Sequence, residues 1–420
     1  ARDMLERGTE RIETELGEQP EIPAEMHAVI GGLYQELGAY ETSLHHFERA
    51  VDLFTAVDGP ESARVGDTLG RLGYAVQELG DYERAEQVLR ESLRIQRTHP
   101  ERTVDLAAAA NQLGMHLSYQ GEYVEAEQLL RESEQLYAKT LGRDSARRAT
   151  ALSNLGLTVK WSGRMDEAEP IYREALRIRR AALGDDHTDV AVTLDNLGVL
   201  LGQRGDFEES EVCFREALDI RRRLLGEDHP DVALNLNNLA TLFRVQGRLD
   251  DAEPIYRQVI DLNRRALGED HPRLATNLVN LGSVQLARGR HEEAIEGFET
   301  ALAIRRSALG SEHVEVANAL GHLVDALLAV DRVDEAVEAS EEAVRIAEAT
   351  VDPKSHRVAA ALHTHAEALL RAGRHEAARV NAARALAVRE EILADDHPET
   401  VASRELVAAC DAALAERADG

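Results

Sequence analysis

The sequence predicts an all-α solenoid, a stack of antiparallel helix pairs, because it repeats with a fixed period and each period holds two amphipathic helices. The 420-residue chain overlays itself when it is shifted by 42 residues. This register aligns His187, His229, His271 and His313, and it also aligns Gly163, Gly205, Gly247 and Gly289. A fixed period in this range is typical of repeat proteins.

The first helix of one unit is predicted over 230–246. Its apolar residues recur at intervals of three and four, as one stripe of an amphipathic helix requires. They are Val232, Ala233, Leu236, Leu239, Ala240, Leu242 and Phe243. Pro230 suits the first turn, where its missing N–H would be unpaired anyway, and Asp228 with His229 offers capping groups. Gly247 then ends the helix.

The second helix of the unit carries its own apolar stripe and ends at Leu267-Gly268. The stripe consists of Ala252, Ile255, Tyr256, Val259, Ile260 and Leu262. Two helices joined by so short a turn must lie antiparallel, and they cannot bury both stripes by themselves. Neighbouring units therefore have to stack.

These residues resemble the tetratricopeptide repeat family. The resemblance lies in Leu236, Leu239-Ala240, Phe243, Ala252, Tyr256 and Val259, and the longer period with LGEDHPDVA and LNNLA is similar to the kinesin light chain subclass. It implies a right-handed superhelix in which the first helix of each pair lines a concave groove. Such repeats occur in many unrelated contexts, so the resemblance indicates the fold more than the biological role.

Taken in order, the chain divides into an N-terminal capping helix (1–21), nine repeats (22–394) and a C-terminal capping helix (395–420). The turn between the two helices is marked by Gly38, Gly80, Gly121, Gly163, Gly205, Gly247, Gly289, Asp331 and Gly373. The second helices of repeats four to seven carry Tyr172, Phe214, Tyr256 and Phe298, and repeats eight and nine carry Ser340 and Ala382 there. Smaller side chains bury less area, so we expect fraying to begin in the last repeats.

Composition restricts the partners. With 48 Lys and Arg against 77 Asp and Glu, the net charge of −29 repels nucleic acid and anionic membranes and favours a cationic partner. The alternative is that the acidic surface serves solubility alone, as in many proteins. Only Cys213 and Cys410 are present, so no disulfide framework is expected and the compartment stays undetermined, with the cytoplasm as default. No run approaches the ~18 apolar residues of a membrane span. The chain opens at Ala1 without Met, which suggests a piece of a longer protein.

Catalytic motifs are missing from the sequence. Lys139, Lys160 and Lys354 are its lysines, and none follows a glycine as a phosphate-binding loop requires. HRD, DFG, HExxH, CxxC and GxSxG do not occur. We therefore predict no enzyme activity, no catalytic residue and no cofactor for this chain.

Several histidines suggest metal ligands at first sight. The Asp-His pairs, at Asp186-His187, Asp228-His229, Asp270-His271 and Asp396-His397, lie one or more repeats apart, so helix capping explains them better than a shared ion. His322, His363 and His365 are closer neighbours, but His363 and His365 are two residues apart on a helix and point to different faces. We predict no metal site.

The strongest candidate site is a column of amides. Asn154, Asn196, Asn238 and Asn280 occupy the same first-helix position in four consecutive repeats. Gln112 extends this amide column in repeat three, and Arg71, His322 and Thr364 interrupt it. In proteins that this sequence resembles, Asn at this position reaches the backbone of a bound extended peptide, and its amide offers both a donor and an acceptor. The alternative is that these amides bond to one another along the groove.

Further along the same face lie Lys160, Trp161, Gln203 and Arg244. Positive charge beside the amides suits an acidic or carboxylate-ended peptide, and Trp161 could stack on an anchor residue. The alternatives are that Trp161 is a packing residue, and that Lys160 and Arg244 do not indicate an acidic ligand in a chain with a net charge of −29.

The sequence leaves three functions open. The first is a non-catalytic scaffold that binds a peptide or partner domain in its groove. The second is a sensory or oligomerising region of a larger bacterial enzyme, because ARDMLERGTERIETELGEQPEI resembles the segment before such repeats in serine/threonine kinases, and signal-transduction NTPases carry similar arrays. The third is a self-assembling array, so homo-oligomer formation stays open.

Overall fold

The computed structural model describes residues 21–419, which form 19 α-helices and no strand. The expected N-terminal capping helix (1–21) lies outside the described residues except for its last residue. The helices are α1 Glu21–Glu36, α2 Tyr40–Asp58, α3 Ala63–Glu78, α4 Tyr82–Arg97, α5 Thr103–Gln120, α6 Tyr123–Leu141, α7 Ala146–Trp161, α8 Met165–Leu183, α9 Thr188–Arg204, α10 Phe207–Leu225, α11 Pro230–Val245, α12 Leu249–Leu267, α13 Pro272–Ala287, α14 His291–Leu309, α15 Val314–Ala329, α16 Val333–Thr350, α17 His356–Arg371, α18 His375–Ile392 and α19 Pro398–Asp419.

The helices follow one another in consecutive pairs, which confirms the predicted all-α solenoid. The odd-numbered helices α1 to α17 are the first helices of the pairs, and the even-numbered helices α2 to α18 are the second helices. Helix α19 follows the last pair and packs on α17 and α18. That residues 395–420 act as a cap remains a prediction.

The chain divides into two compact units, residues 1–220 and residues 221–420. Within each unit, the backbones of neighbouring first helices contact one another, as α3 contacts α5 and α13 contacts α15. The second helices α2, α4, α6 and α8 stand farther apart. Ion pairs between long side chains, such as Arg90 with Glu125 at 2.7 Å, bridge them. The first helices therefore lie on the inner side of each unit's curve.

The turns between the paired helices need a left-handed backbone. The predicted turn glycines all adopt it, with a φ of 72° at Gly247 and 74° at Gly289. Asp331 takes the same conformation with a φ of 61°, and it is the one non-glycine residue with positive φ in the described part of the chain. A side chain is strained there, so the fold imposes this turn even where the sequence lacks glycine.

In several pairs, a large side chain of the second helix lies over a glycine of the first. A Cβ atom at Gly198 would come within 2.9 Å of the Phe214 ring, and one at Gly282 within 2.6 Å of the Phe298 ring. Both rings are almost fully buried. Close approach therefore requires glycine at these two positions, because no side chain fits beneath the ring.

Histidine side chains cap four of the first helices and α19. The Nδ1 atoms of His187 and His229 accept hydrogen bonds from the backbone N–H of Asp189 and Asp231, both at 3.1 Å. His271, His313 and His397 make the same bond. Capping is therefore confirmed, with the histidine as the capping group. The neighbouring Asp228 instead pairs with Arg265.

Buried arginines join second helices to the helices that follow them, a feature that the sequence did not predict. Arg179 donates to the carbonyl of Asp189 at 2.9 Å, and Arg305 donates to that of Glu315 at 2.8 Å. Arg389 bonds to the carbonyl of Glu399 and to Ser403. Burial lowers the pKa of all three guanidinium groups. These bonds give each buried guanidinium group a backbone oxygen as a partner and link the adjoining helices.

Candidate functional site

The amide column lies on the first helices of both units. Asn154 and Asn196 belong to α7 and α9 in residues 1–220, and Asn238 and Asn280 belong to α11 and α13 in residues 221–420. All four side chains are half-buried. Each unit therefore presents a pair of these amides on its inner side.

The four amides differ in how they are engaged. Asn154 donates from Nδ2 to Oδ1 of Asn111 at 3.0 Å, and Asn280 donates to Oδ1 of Asn237 at 3.1 Å. Both side chains thus bond to a neighbouring first helix, which is the alternative to peptide recognition. Within residues 21–419, Asn196 and Asn238 make no side-chain hydrogen bond, so their donors and acceptors are available.

Gln112 lies on α5 beside an open depression in the inner side of the first unit. The depression is lined by polar and charged groups: Asp67, Arg71, Arg102, Asp105, Asn111, Tyr137, Arg147 and Thr150. Arg71 pairs with Asp67 at 3.3 Å, and Arg102 pairs with Asp105 at 2.6 Å. Arg147 adds a third positive charge, so three arginines face two aspartates in this lining, with the amide groups of Asn111 and Gln112 beside them.

Lys160 and Trp161 end α7 and lie in different surroundings. Lys160 is half-buried, and burial lowers the pKa of its ammonium group. Trp161 contacts Tyr119 of the neighbouring first helix, with ring centroids 5.3 Å apart. Gln203 occupies the equivalent place on α9 and is exposed. Trp161 therefore both packs against a neighbour and keeps part of its surface open.

Arg244 belongs to the second unit, where it is half-buried on α11. The pKa of His322 is lowered, first by burial and then by the positive charges of Arg305 and Arg244. His322 also stacks on Phe298 with a centroid distance of 5.7 Å. Arg244 on α11 and His322 on α15 both belong to first helices of the second unit, and His322 interrupts the amide column in repeat eight.

An acidic position on α15 was missed by the sequence analysis. The pKa of Asp325 is raised to about 6, first by burial and then by the negative charge of Glu367, and His363 partly offsets the shift. Nothing in the local sequence reveals this position, because Asp325 and Glu367 are one repeat apart and meet only when first helices stack.

The neighbouring histidines His363 and His365 have separate partners. His363 bonds to Ser403 at 3.2 Å and His365 bonds to Ser340 at 2.8 Å. Among residues 21–419, no group of three or more His, Cys, Asp or Glu is arranged to hold a metal ion. No helix in that range is long and apolar enough to cross a bilayer. Both cysteines are buried and unpaired.

Comparison with protein families gives a consistent result along the chain. Profiles described as Tetratricopeptide repeat match residues 24–98, 105–161, 147–223, 196–265, 231–307 and 273–349, and a second such profile matches residues 358–399. No curated protein sequence matches this chain.

Similar solved structures include kinesin light chain-like repeat proteins. One is BtubC (BKLC) from P. vanneervenii, with 28% sequence identity and a TM-score of 0.47, covering 55% of this chain and 90% of that one. Another is a Podosopora anserina protein described as kinesin light chain nearly identical TPR-like repeats. It has 24% identity and a TM-score of 0.43, covering 49% of this chain and 97% of that one.

Proposed function

The chain belongs to the tetratricopeptide repeat family, and we propose that it is a non-catalytic scaffold whose first helices bind an extended peptide or a partner domain. Repeats of this family usually mediate contacts between proteins. The amide column and its neighbours Trp161 and Gln203 offer polar and aromatic groups on the inner side of a unit.

One observation carries this proposal: Asn196 and Asn238 hold half-buried amides that no described residue engages. A half-buried amide without a partner is costly unless water or a ligand pairs with it. A bound extended peptide supplies a carbonyl and an N–H at regular intervals, which match the donor and the acceptor of one Asn side chain. Such pairing recognises the backbone of the peptide, so sequence specificity has to come from the scaffold side chains beside the amides.

The proposed binding differs in one respect from the predicted column of equivalent residues. Asn154 and Asn280 already donate to Asn111 and Asn237. Each of these two side chains keeps one free N–H and its Oδ1, whereas Asn196 and Asn238 keep both N–H groups and Oδ1. We therefore expect Asn196 and Asn238 to contribute most to affinity.

Affinity capture from a lysate of the source organism, followed by mass spectrometry, tests the proposal. The wild-type chain is compared with the double variant Asn196→Ala, Asn238→Ala. A matched control, Gln128→Ala with Gln258→Ala, removes one exposed amide from a second helix in each unit.

We expect a protein that the wild type and the control retain and that the double Asn variant releases. Circular dichroism must show equal helicity and equal melting for all three chains. If the double Asn variant and the wild type retain the same proteins in equal amounts, the amides have no role in recognition and the proposal is wrong.

A further inference from the structure

Aromatic side chains gather at one end of the first helices in residues 1–220. Tyr74 lies in the last turns of α3 and is 38% exposed, and Tyr119 lies at the end of α5 and is 57% exposed. Trp161, the only Trp of the chain, ends α7 and is half-buried. Two exposed aromatic groups and one half-buried aromatic group on three successive first helices are unusual for a surface without a partner.

These aromatic groups touch in pairs across neighbouring repeats. Tyr40 packs edge-on against Tyr74 with ring centroids 6.3 Å apart, and Tyr119 packs against Trp161 at 5.3 Å. Such pairs hold the rings in fixed orientations, so binding costs little side-chain entropy. We call Tyr40, Tyr74, Glu78, Tyr119 and Trp161 the aromatic strip.

Glu78 provides the negative charge of the aromatic strip. It lies one turn beyond Tyr74 on α3, it is exposed, and it has no basic partner among residues 21–419. Burial raises the pKa of Tyr74 to about 12, and Glu78 contributes to that shift. The pKa of Tyr119 is raised by the same two causes. Both rings therefore stay neutral, and both lie within the field of one free carboxylate.

We propose that the aromatic strip binds arginine side chains of a basic partner segment. A guanidinium group is planar and weakly hydrated, so it can stack on an aromatic face and form two hydrogen bonds to one carboxylate. The strip offers both elements side by side. This inference rests on the proposed function, because it names the partner chemistry for the inner side of the first unit.

Charge argues against other occupants of the aromatic strip. An apolar partner would bury Glu78 without a counter-charge, which is costly, and an acidic partner would meet both Glu78 and a net charge of −29. Arg71 lies one turn before Tyr74 but already pairs with Asp67. A lysine would pair with Glu78 but would stack less well, since its ammonium group is strongly hydrated.

The fluorescence of Trp161 provides a direct test in the whole chain. The probe is a short glycine-based peptide that carries arginines, and the comparisons are the same peptide with lysine or with citrulline, the neutral isostere of arginine. We expect the arginine peptide to change the Trp161 emission saturably, the lysine peptide to bind several-fold more weakly, and the citrulline peptide to have no effect.

Two variants localise the binding. Glu78→Gln and Tyr119→Leu each alter an exposed side chain, and each should weaken binding of the arginine peptide roughly tenfold, as measured by calorimetry. The control is Glu101→Gln, which removes the same charge in front of α5, whose first residue lies about 24 Å along the helix axis from Tyr119. It should leave binding within about twofold, because separated exposed charges are screened by salt.

Equal losses in Glu78→Gln and Glu101→Gln would mean general attraction by the acidic surface, and binding of the citrulline peptide would mean that charge is irrelevant; either result overturns the inference. The Asn196 and Asn238 variant separates the two proposals. A chain that captures its partner through these amides but ignores the arginine peptide keeps the proposed function and loses this inference. If the wild type binds the arginine peptide but the double Asn variant still captures the same proteins, this inference stands and the proposed function is wrong.

Discussion

Single residues decide how closely the two helices of a pair approach. Gly198 lies beneath Phe214, and a Cβ atom there would come within 2.9 Å of the ring. In repeat eight the same two positions hold Val324 and Ser340, so the larger side chain belongs to the first helix instead. Gly321, elsewhere on that first helix, has open space around it, because a Cβ atom there would meet nothing within 4 Å.

We predict that Gly198→Ala destabilises the chain by about 1–3 kcal/mol, because the ring or the helix must shift. Gly321→Ala should stabilise it by about 0.5–1 kcal/mol, because alanine favours the helix and no clash follows. Urea unfolding followed by circular dichroism measures both. A stable Gly198→Ala variant would contradict the close approach of these helices.

Buried arginine should matter more than exposed arginine. Arg305 is 6% exposed and donates to the carbonyl of Glu315, so Arg305→Met should lower the free energy of unfolding by about 1–3 kcal/mol. Arg345 pairs with Glu312 on the surface, and Arg345→Met should cost less than about 1 kcal/mol. If both variants lose the same unfolding free energy in urea, the buried bond of Arg305 stabilises the fold no more than the exposed ion pair of Arg345.

Asp325 gives the fold a pH dependence of known sign. Its folded-state pKa of about 6 exceeds the ordinary value of 3.8, so its contribution to stability is complete below 3.8 and is lost as the pH rises through about 6. Asp325→Asn should therefore gain stability over the wild type progressively across this range. Urea unfolding at several pH values measures the difference, and a difference that does not vary with pH contradicts the raised pKa.

Residue-level detail was only partly predictable from the sequence. The turn glycines and the capping of first helices followed from local chemistry, and the structure confirms both. The bonds of Asn154 to Asn111 and of Asn280 to Asn237 did not, because each joins residues one repeat apart whose distance depends on how helices stack. The buried arginines were hidden for the same reason, since arginine in a helix usually points to solvent.

At the scale of one element, the turn between α15 and α16 differs from the other turns between paired helices because it lacks glycine. Asp331 adopts a φ of 61° where the other turns use glycine. We expect Asp331→Gly to stabilise the chain by about 0.5–1 kcal/mol, because glycine removes the strain. Its exposed pair with Arg371 is lost, at little cost. Gly289→Asp should have the opposite effect in thermal unfolding, and a destabilised Asp331→Gly variant would show that the ion pair outweighs the strain.

Helices of the second unit should also differ in local stability. Tyr256 and Phe298 fill the interiors of two pairs, whereas Ser340 and Ala382 occupy the same position in the last two. Because less apolar area is buried per interface, amide hydrogens of α16 to α18 should exchange faster than those of α12 to α14. Hydrogen exchange with mass spectrometry measures this, and slower exchange in α16 to α18 would reverse the predicted order.

At the scale of the whole molecule, periodicity made the fold predictable and left the binding surface less so. A period of 42 with two amphipathic stripes leaves little choice but stacked helix pairs, and the helices begin and end close to the predicted residues. The site depends on which side chains are left unengaged after stacking. Asn196 and Asn238 could be selected from their equivalents only once those bonds were known.

Charge distribution also emerges only at this scale. Arginines of second helices pair with glutamates of the next second helix, as Arg173 does with Glu209 and Arg306 with Glu342. Much of the positive charge is thereby neutralised on the outer side of each unit. Glu78 and Asp325 belong to first helices, which agrees with a partner that carries positive charge.

The central claim, that partners bind to the first helices, is tested most directly by site-specific photocrosslinking. A photoactivatable residue replaces Gln203 on the first helix α9 or Gln128 on the second helix α6, both exposed and both in residues 1–220. After irradiation in lysate of the source organism, we predict that a defined protein is crosslinked from position 203 and not from position 128. Crosslinks from position 128 alone, or equally from both, would place the binding surface elsewhere and contradict the account.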